Sequence, residues 1–186
     1  MRKIQYNSPV ILTFALLSAG ALLLDFLTGG RTTAQFFSVY QSSWLNPLTY
    51  IRLFGHVLGH VDFAHYTGNM MMILVLGPMV EERHGSRNTF FLIAITALVT
   101  GLLHCFLSPN VALLGASGIV FMLIFLASLA GMQKNRIPLT LIAVAALYFG
   151  QEIYNGLLSA DNISQLTHII GGTCGVVLGL FLRKKR

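Results

Sequence analysis

Four side chains in this sequence are of the kinds that acyl transfer requires: Ser117, His168, His65 and Asn69. A serine hydroxyl becomes an effective nucleophile when a base within hydrogen-bonding reach takes its proton, and histidine is the usual base near neutral pH. No carboxylate is placed to orient His168, because Asp161 is seven residues earlier and Glu152 falls in a different apolar stretch. The pattern therefore reads as a Ser–His dyad rather than a triad. His65 and Asn69 stand at i and i+4, on one face of a helix, where an imidazole and an amide can donate to a developing oxyanion. If Ser117 opens a helix, its own N–H joins them, since first-turn amides lack intrahelical acceptors.

The elements that must carry these residues are set by an unusual composition. Of 186 residues, 55% are apolar and 10% charged, and the mean hydropathy is +0.72. One core cannot hide that much apolar side chain, so the solvent is partly lipid, which excludes an ordinary soluble enzyme and a disordered regulator. Two cysteines make no disulfide framework, and Cys105 and Cys174 read as packing residues. Stretches of the length needed to cross hydrocarbon, about 20 residues, fall near 9–27, 65–80, 89–107, 115–132, 138–154 and 166–182. One long connection, 28–64, separates the first two. The expectation is an all-α membrane bundle of six spans, a single domain over 1–186. The first stretch could instead be a cleaved signal segment, but its apolar run is longer than a signal core.

Charge fixes direction. All of the 12 Lys and Arg except Arg31 and Arg52 fall before the first stretch, between the second and third, between the fourth and fifth, or after the sixth. By the positive-inside rule that face, with both termini, is cytoplasmic. The net charge of +6 thus reports orientation rather than a nucleic-acid partner. Spans two, four and six then run inward, and His65, Asn69, Ser117 and His168 share one depth near the outer face. Polar groups there are costly unless they pair or face water, so a common wet cavity is expected, in which a peptide bond at membrane depth is hydrolysed. Gly115 and Gly118 flank Ser117, and Gly171, Gly175 and Gly179 follow His168 as a strip of small residues, which lets two helices approach closely.

Gly115-Ala116-Ser117-Gly118 resembles the Gly-x-Ser-Gly motif of the rhomboid intramembrane serine proteases. His65-x-x-x-Asn69 is similar to that family's His/Asn pair, and His168-x-x-Gly171-x-x-x-Gly175 to its catalytic-histidine helix; Glu81-x-Arg83 and the order of the spans also match. The resemblance, over roughly residues 50 to 182, implies Ser117 as nucleophile, His168 as base and then acid, and His65, Asn69 and the Ser117 amide as oxyanion stabilisers. It implies substrates that are other transmembrane proteins, entering between spans two and five, and no metal or cofactor. Two positions depart from the pattern. Ile51 precedes Arg52 where many members have Trp-Arg, which bears on loop anchoring, and Phe121 stands where members often carry a tyrosine packed on the histidine.

Each of these residues also has a plainer reading. Gly-Ala-Ser-Gly alone is ordinary helix packing, and Asn69 alone an interhelical hydrogen-bond partner. His56, His60 and His65 could share zinc, but no completing Cys or Glu is placed, and structural hydrogen bonding ranks first. His84 reads as a cytoplasmic loop residue, His104 has no evident partner, and Glu81-Glu82-Arg83 alone reads as a solvated run, the alternative being that Glu81 and Arg83 tie the cytoplasmic turn. The connection carries Phe36, Phe37, Tyr40, Trp44, Tyr50 and Phe54, as a segment resting in the outer lipid interface would. The reading is an intramembrane serine endopeptidase of multi-pass topology, with a prokaryotic cytoplasmic membrane favoured by small size. The rivals are a catalytically silent rhomboid-like protein that binds membrane clients and a small proton-coupled transporter, for which Glu152 would matter.

Overall fold

The computed structural model describes residues 6–108, 110–129, 132–133, 136–158 and 163–184, with backbone alone at 149, 151–158, 163–164 and 183–184. Arg2, Lys3, Lys134, Asp161, Lys185 and Arg186, and the side chains of Glu152, Arg183 and Lys184, lie outside that description. The described residues form eight α-helices and no strand: α1 (Pro9–Thr28), α2 (Arg31–Phe36), α3 (Pro47–Gly55), α4 (Phe63–His84), α5 (Ser86–Leu107), α6 (Ser117–Ser128), α7 (Leu139–Leu158) and α8 (Ile163–Lys184), with a 3-10 turn at His56–Leu58. Four helices are long and apolar enough to cross a membrane, namely α1, α4, α5 and the Gln165–Leu182 part of α8. Rows of exposed leucine and phenylalanine on α1, such as Leu16, Leu23 and Phe26, fit lipid as the surrounding solvent.

The fourth expected stretch, 115–132, is shorter as a helix than its apolar run implies. α6 has only 12 residues, and Gly118 to Leu126 are all buried. A helix apolar on every side belongs inside the bundle, and α6 packs most extensively on α8 and then on α4. Two glycines make the α6–α8 approach possible. A methyl on Gly171 would land on the Gly118 carbonyl, and one on Gly175 would stand 2.5 Å from the Met122 carbonyl oxygen.

The connection 28–64 is not a plain loop, since it folds α2, α3 and the 3-10 turn. Asn46 starts α3 by accepting the Leu48 N–H at 3.0 Å, with Pro47 in the first turn. Arg52 is buried, donates from Nε to the Gln35 carbonyl at 2.9 Å and lies 4.4 Å over the Tyr40 ring. Loop anchoring through the arginine therefore persists beside an exposed Ile51. Trp44 stacks on Phe106 of α5 at 6.2 Å, and Leu45 beside it is 94% exposed.

Glu81 is not a solvated residue. Only 3% exposed, its carboxylate accepts the Val10 and Ile11 N–H groups at 3.1 and 3.0 Å. These amides belong to the first turn of α1, whose preceding Ser8, at φ 50°, makes no side-chain cap. A negative charge brought from α4 thus satisfies the positive end of α1 and joins the two helices where Ile11 meets Gly77.

Candidate active site

Local sequence places each of the four predicted residues. Asp62 caps α4 by accepting the His65 N–H at 2.7 Å, which fixes His65 in the first turn, and Asn69 follows one turn later. Ser117 is the first residue of α6, behind Ala116, which offers no side-chain cap, so the Ser117 and Gly118 amides have no intrahelical acceptor. His168 lies in the second turn of α8, because that helix begins at Ile163, earlier than the stretch 166–182 suggested.

These residues line one cavity of about 450 Å³, between α4, the segment 111–114, the start of α6 and α8. His65, Asn69, Ser117 and His168 all contribute to its wall, as does Gly68. Asn69 donates one amide hydrogen to the His65 carbonyl at 3.1 Å, which leaves its second amide hydrogen available. Phe121, one turn below Ser117, stacks on the His168 ring with centroids 4.3 Å apart and planes 6° from parallel, and its other edge meets Tyr148 of α7 at 5.3 Å. The aromatic contact expected of this position is made by the phenyl ring.

Gly115 has φ +123°, and a methyl there would come within 2.8 Å of His65 Cε1. Both the backbone turn and the close approach of the imidazole require glycine. Gly118 faces Thr100 and Thr167 at ordinary contact distance, so its importance is that α8 rides over its backbone at Gly171.

Two of the remaining histidines hold this wall in place. His56 is fully buried, with Nδ1 3.2 Å from the Arg52 carbonyl and Nε2 3.3 Å from Thr100 Oγ1, and its own carbonyl accepts the Gly115 N–H at 3.0 Å. His60 is buried, with Nδ1 3.1 Å from the Leu58 carbonyl and its ring edge-on to His65 at 5.1 Å. Burial lowers the pKa of each to about 4, so both rings are neutral at physiological pH. With both ring nitrogens of His56 in hydrogen bonds, the three histidines offer no preformed metal triad.

Sequence reasoning left His104 without a partner. It donates from Nε2 to the Val111 carbonyl at 2.8 Å and so fixes the segment over the cavity. The same segment pairs Leu113 with Val39, each N–H donating to the other's carbonyl at 2.9 Å, so the long connection is stitched to the chain entering α6. Neither contact has a local sequence signal, because each joins residues from different elements.

A Rhomboid domain model matches residues 47–185. Similar proteins include Rhomboid-related protein 1 of Caenorhabditis elegans, 31% identical over 140 residues, which is 69% of this chain and 38% of that protein. Rhomboid-type serine protease 2 of Eremothecium gossypii is 36% identical over 83 residues (42% and 32%), and Rhomboid protease GlpG of an Enterobacter species is 33% identical over 118 residues (56% and 42%). The matched region spans between about a third and a half of these relatives' length. They come from an animal, a fungus and a bacterium, so they do not support a prokaryotic membrane over a eukaryotic one.

Proposed function

The chain belongs to the rhomboid family, and from that premise we propose that it is an intramembrane serine endopeptidase of six spans with both termini cytoplasmic. The observation that carries this reading is the shared cavity: Ser117, His168, His65 and Asn69, drawn from three helices, open onto one space of about 450 Å³. A transporter has no need of a helix-opening serine in the same cavity as a histidine backed by a stacked ring.

The chemistry balances with these groups and one water. Ser117 Oγ attacks the scissile carbonyl carbon as its proton passes to His168. The carbonyl oxygen becomes an oxyanion, stabilised by the Ser117 N–H, the His65 ring and the second amide hydrogen of Asn69. His168 returns the proton to the leaving amine, and the C–N bond breaks to leave an acyl-serine. Water, deprotonated by His168, then releases the acid and restores Ser117. The His168 ring is held by stacking on Phe121. Because an intact helix shields its carbonyls, the substrates are transmembrane proteins with small or helix-destabilising residues near the cut.

The test is cleavage of a single-span substrate by purified protein in liposomes. Ser117→Ala and His168→Ala should each abolish turnover while leaving the thermal midpoint in place; cleavage persisting in either variant would sink the dyad. A fluorophosphonate probe should label the unaltered chain and spare Ser117→Ala. Absence of labelling and of turnover together would favour the silent client-binding alternative.

A further inference from the structure

A groove of about 600 Å³, which shares no lining residue with the cavity of Ser117 and His168, opens between α1 and the first half of α5. On α1 its wall runs from Pro9 to Leu17, and on α5 from Phe90 to Ala97. Its end is closed by Phe54, Val57 and Leu58, where the connection dips between the two helices. Apart from Thr13 its lining side chains are apolar, and Leu17, Phe54, Phe90 and Phe91 are each about half exposed to whatever fills it.

Depth selects the occupant. Pro9 to Leu17 is about 12 Å of helix rise, close to the hydrocarbon half-thickness of roughly 15 Å. A transmembrane helix continues through both leaflets and would run into Phe54 and Val57, whereas a lipid chain ends within one leaflet. The open end lies where α1 and α5 both begin, since Glu81, near the end of α4, bonds the first turn of α1 and α5 follows α4 directly. There Arg87 places its guanidinium 5.9 Å over the Phe91 ring, at the mouth of the groove. Of the nearby carboxylates, Glu81 is taken up by the α1 amides, and Glu82 lines a polar cavity with Ser8, Pro78 and Ser86 that meets the groove at Pro9.

We infer that this groove is a lipid site, holding one acyl chain of a phospholipid whose anionic headgroup is bound by Arg87. The site lies apart from the proteolytic groups and does not depend on their assignment. An arginine pairs with a phosphate through two parallel N–H donors, and its position over an aromatic ring holds it ready to do so.

The test uses fluorescence quenching by brominated lipids in the full chain, with Trp44→Phe removing the single native indole. Leu17→Trp places a reporter in the groove, and Leu23→Trp places one on α1 outside it. Vesicles of phosphatidylcholine receive increasing fractions of brominated phosphatidylglycerol or brominated phosphatidylcholine. The Leu17→Trp reporter should be half-quenched at about a fivefold lower fraction of the anionic lipid, the ratio one basic residue near such headgroups supplies. The Leu23→Trp reporter should show no preference. Arg87→Gln should equalise the two lipids at Leu17→Trp, and Ala94→Phe, which fills the groove, should do the same. A second measurement needs no reporter: native mass spectrometry of the unaltered chain from mixed nanodiscs should retain one phosphatidylglycerol, lost in Arg87→Gln. Equal quenching at Leu17→Trp, a preference surviving Arg87→Gln, or retention indifferent to headgroup would overturn the site.

Discussion

Replacing Gly171 with alanine tests how the two chemical helices are held together. The added methyl would stand 2.8 Å from both the Cα and the carbonyl carbon of Gly118 and closer still to its oxygen. Carbon atoms rest about 3.5–4.0 Å apart, so α6 and α8 must part by roughly 1 Å. No rotamer change can absorb this, because the atoms met are backbone. Overpacking of this kind costs ~1–3 kcal/mol, and alanine's helix propensity returns up to ~1 kcal/mol. A net loss of ~1–2 kcal/mol lowers the unfolding midpoint by about 2–8 °C for a chain of this size. The larger effect falls on the proposed chemistry, because Gly118 adjoins Ser117 while Gly171 is one turn from His168, so the same separation pulls Ser117 and His168 apart. A misplacement of 1 Å costs about 100-fold in turnover. The control is Gly179→Ala on the same strip, where the methyl would meet Leu129 Cδ1 at 2.6 Å and Leu126 Cδ2 at 2.9 Å, the mobile ends of side chains. The assay is steady-state cleavage in liposomes with a thermal melt on the same samples. Full activity in Gly171→Ala, or an equal loss in Gly179→Ala, would refute the backbone-approach reasoning.

Other outcomes follow from the same geometry. Phe121→Tyr should keep near-normal turnover because the ring stacked on His168 is preserved, whereas Phe121→Ala should lower kcat about 10-fold or more with KM little changed; equal kinetics in the two variants would count against stacking as the positioning contact. The buried His56 and His60 take up their proton near pH 4 when folded but near 6.5 when unfolded, so the unfolded chain binds more protons between those values. Stability should be flat above about pH 7 and fall as pH drops from 6.5 towards 4, by up to ~1.4 kcal/mol per pH unit for each ring. Thermal midpoints across that range, with a shallower slope in His56→Gln, check the sign, and a midpoint rising on acidification would contradict it. Glu81→Ala removes two charge-assisted bonds to the α1 amides and should cost ~3 kcal/mol, with Glu81→Gln intermediate; a melt unchanged in both would show that the cap carries no stability.

What was legible in the sequence was what a helix repeats or a reaction demands. The Pro9–Thr28 and Ser86–Leu107 helices follow from apolar length, and Ser117, His168, His65 and Asn69 stand out because polar side chains are scarce in such a chain. Contacts between distant elements were hidden. Glu81-Glu82-Arg83 has the composition of a solvated turn, and only the fold shows that one carboxylate reaches back to α1. His104 has no motif around it, since its partner is a backbone carbonyl that any residue could supply. The short α6 escaped for another reason: the residues on either side of Ser117–Ser128 are as apolar as the helix, so hydropathy does not mark where the winding stops.

With the proposed topology, that shortness explains how the chain before α6 is built. Twelve residues rise about 18 Å, against about 30 Å of hydrocarbon, so a helix whose last turn sits at the inner boundary starts roughly 12 Å below the outer one. Placing Ser117 at depth in this way obliges the preceding chain to descend as non-helical backbone, whose amides and carbonyls lipid cannot satisfy. Several of these groups are met by partners from other elements. Gly115 N–H finds the His56 carbonyl, Leu113 exchanges both bonds with Val39, and the Val111 carbonyl takes the His104 ring. The long connection supplies two of those three partners, from residues 39 and 56, and Arg52 and the tight packing of Gly59 on Phe37 hold it in place. A connection that hydropathy alone would treat as a surface loop is thus, on the proposed topology, the structure that lets Ser117 begin its helix inside the membrane.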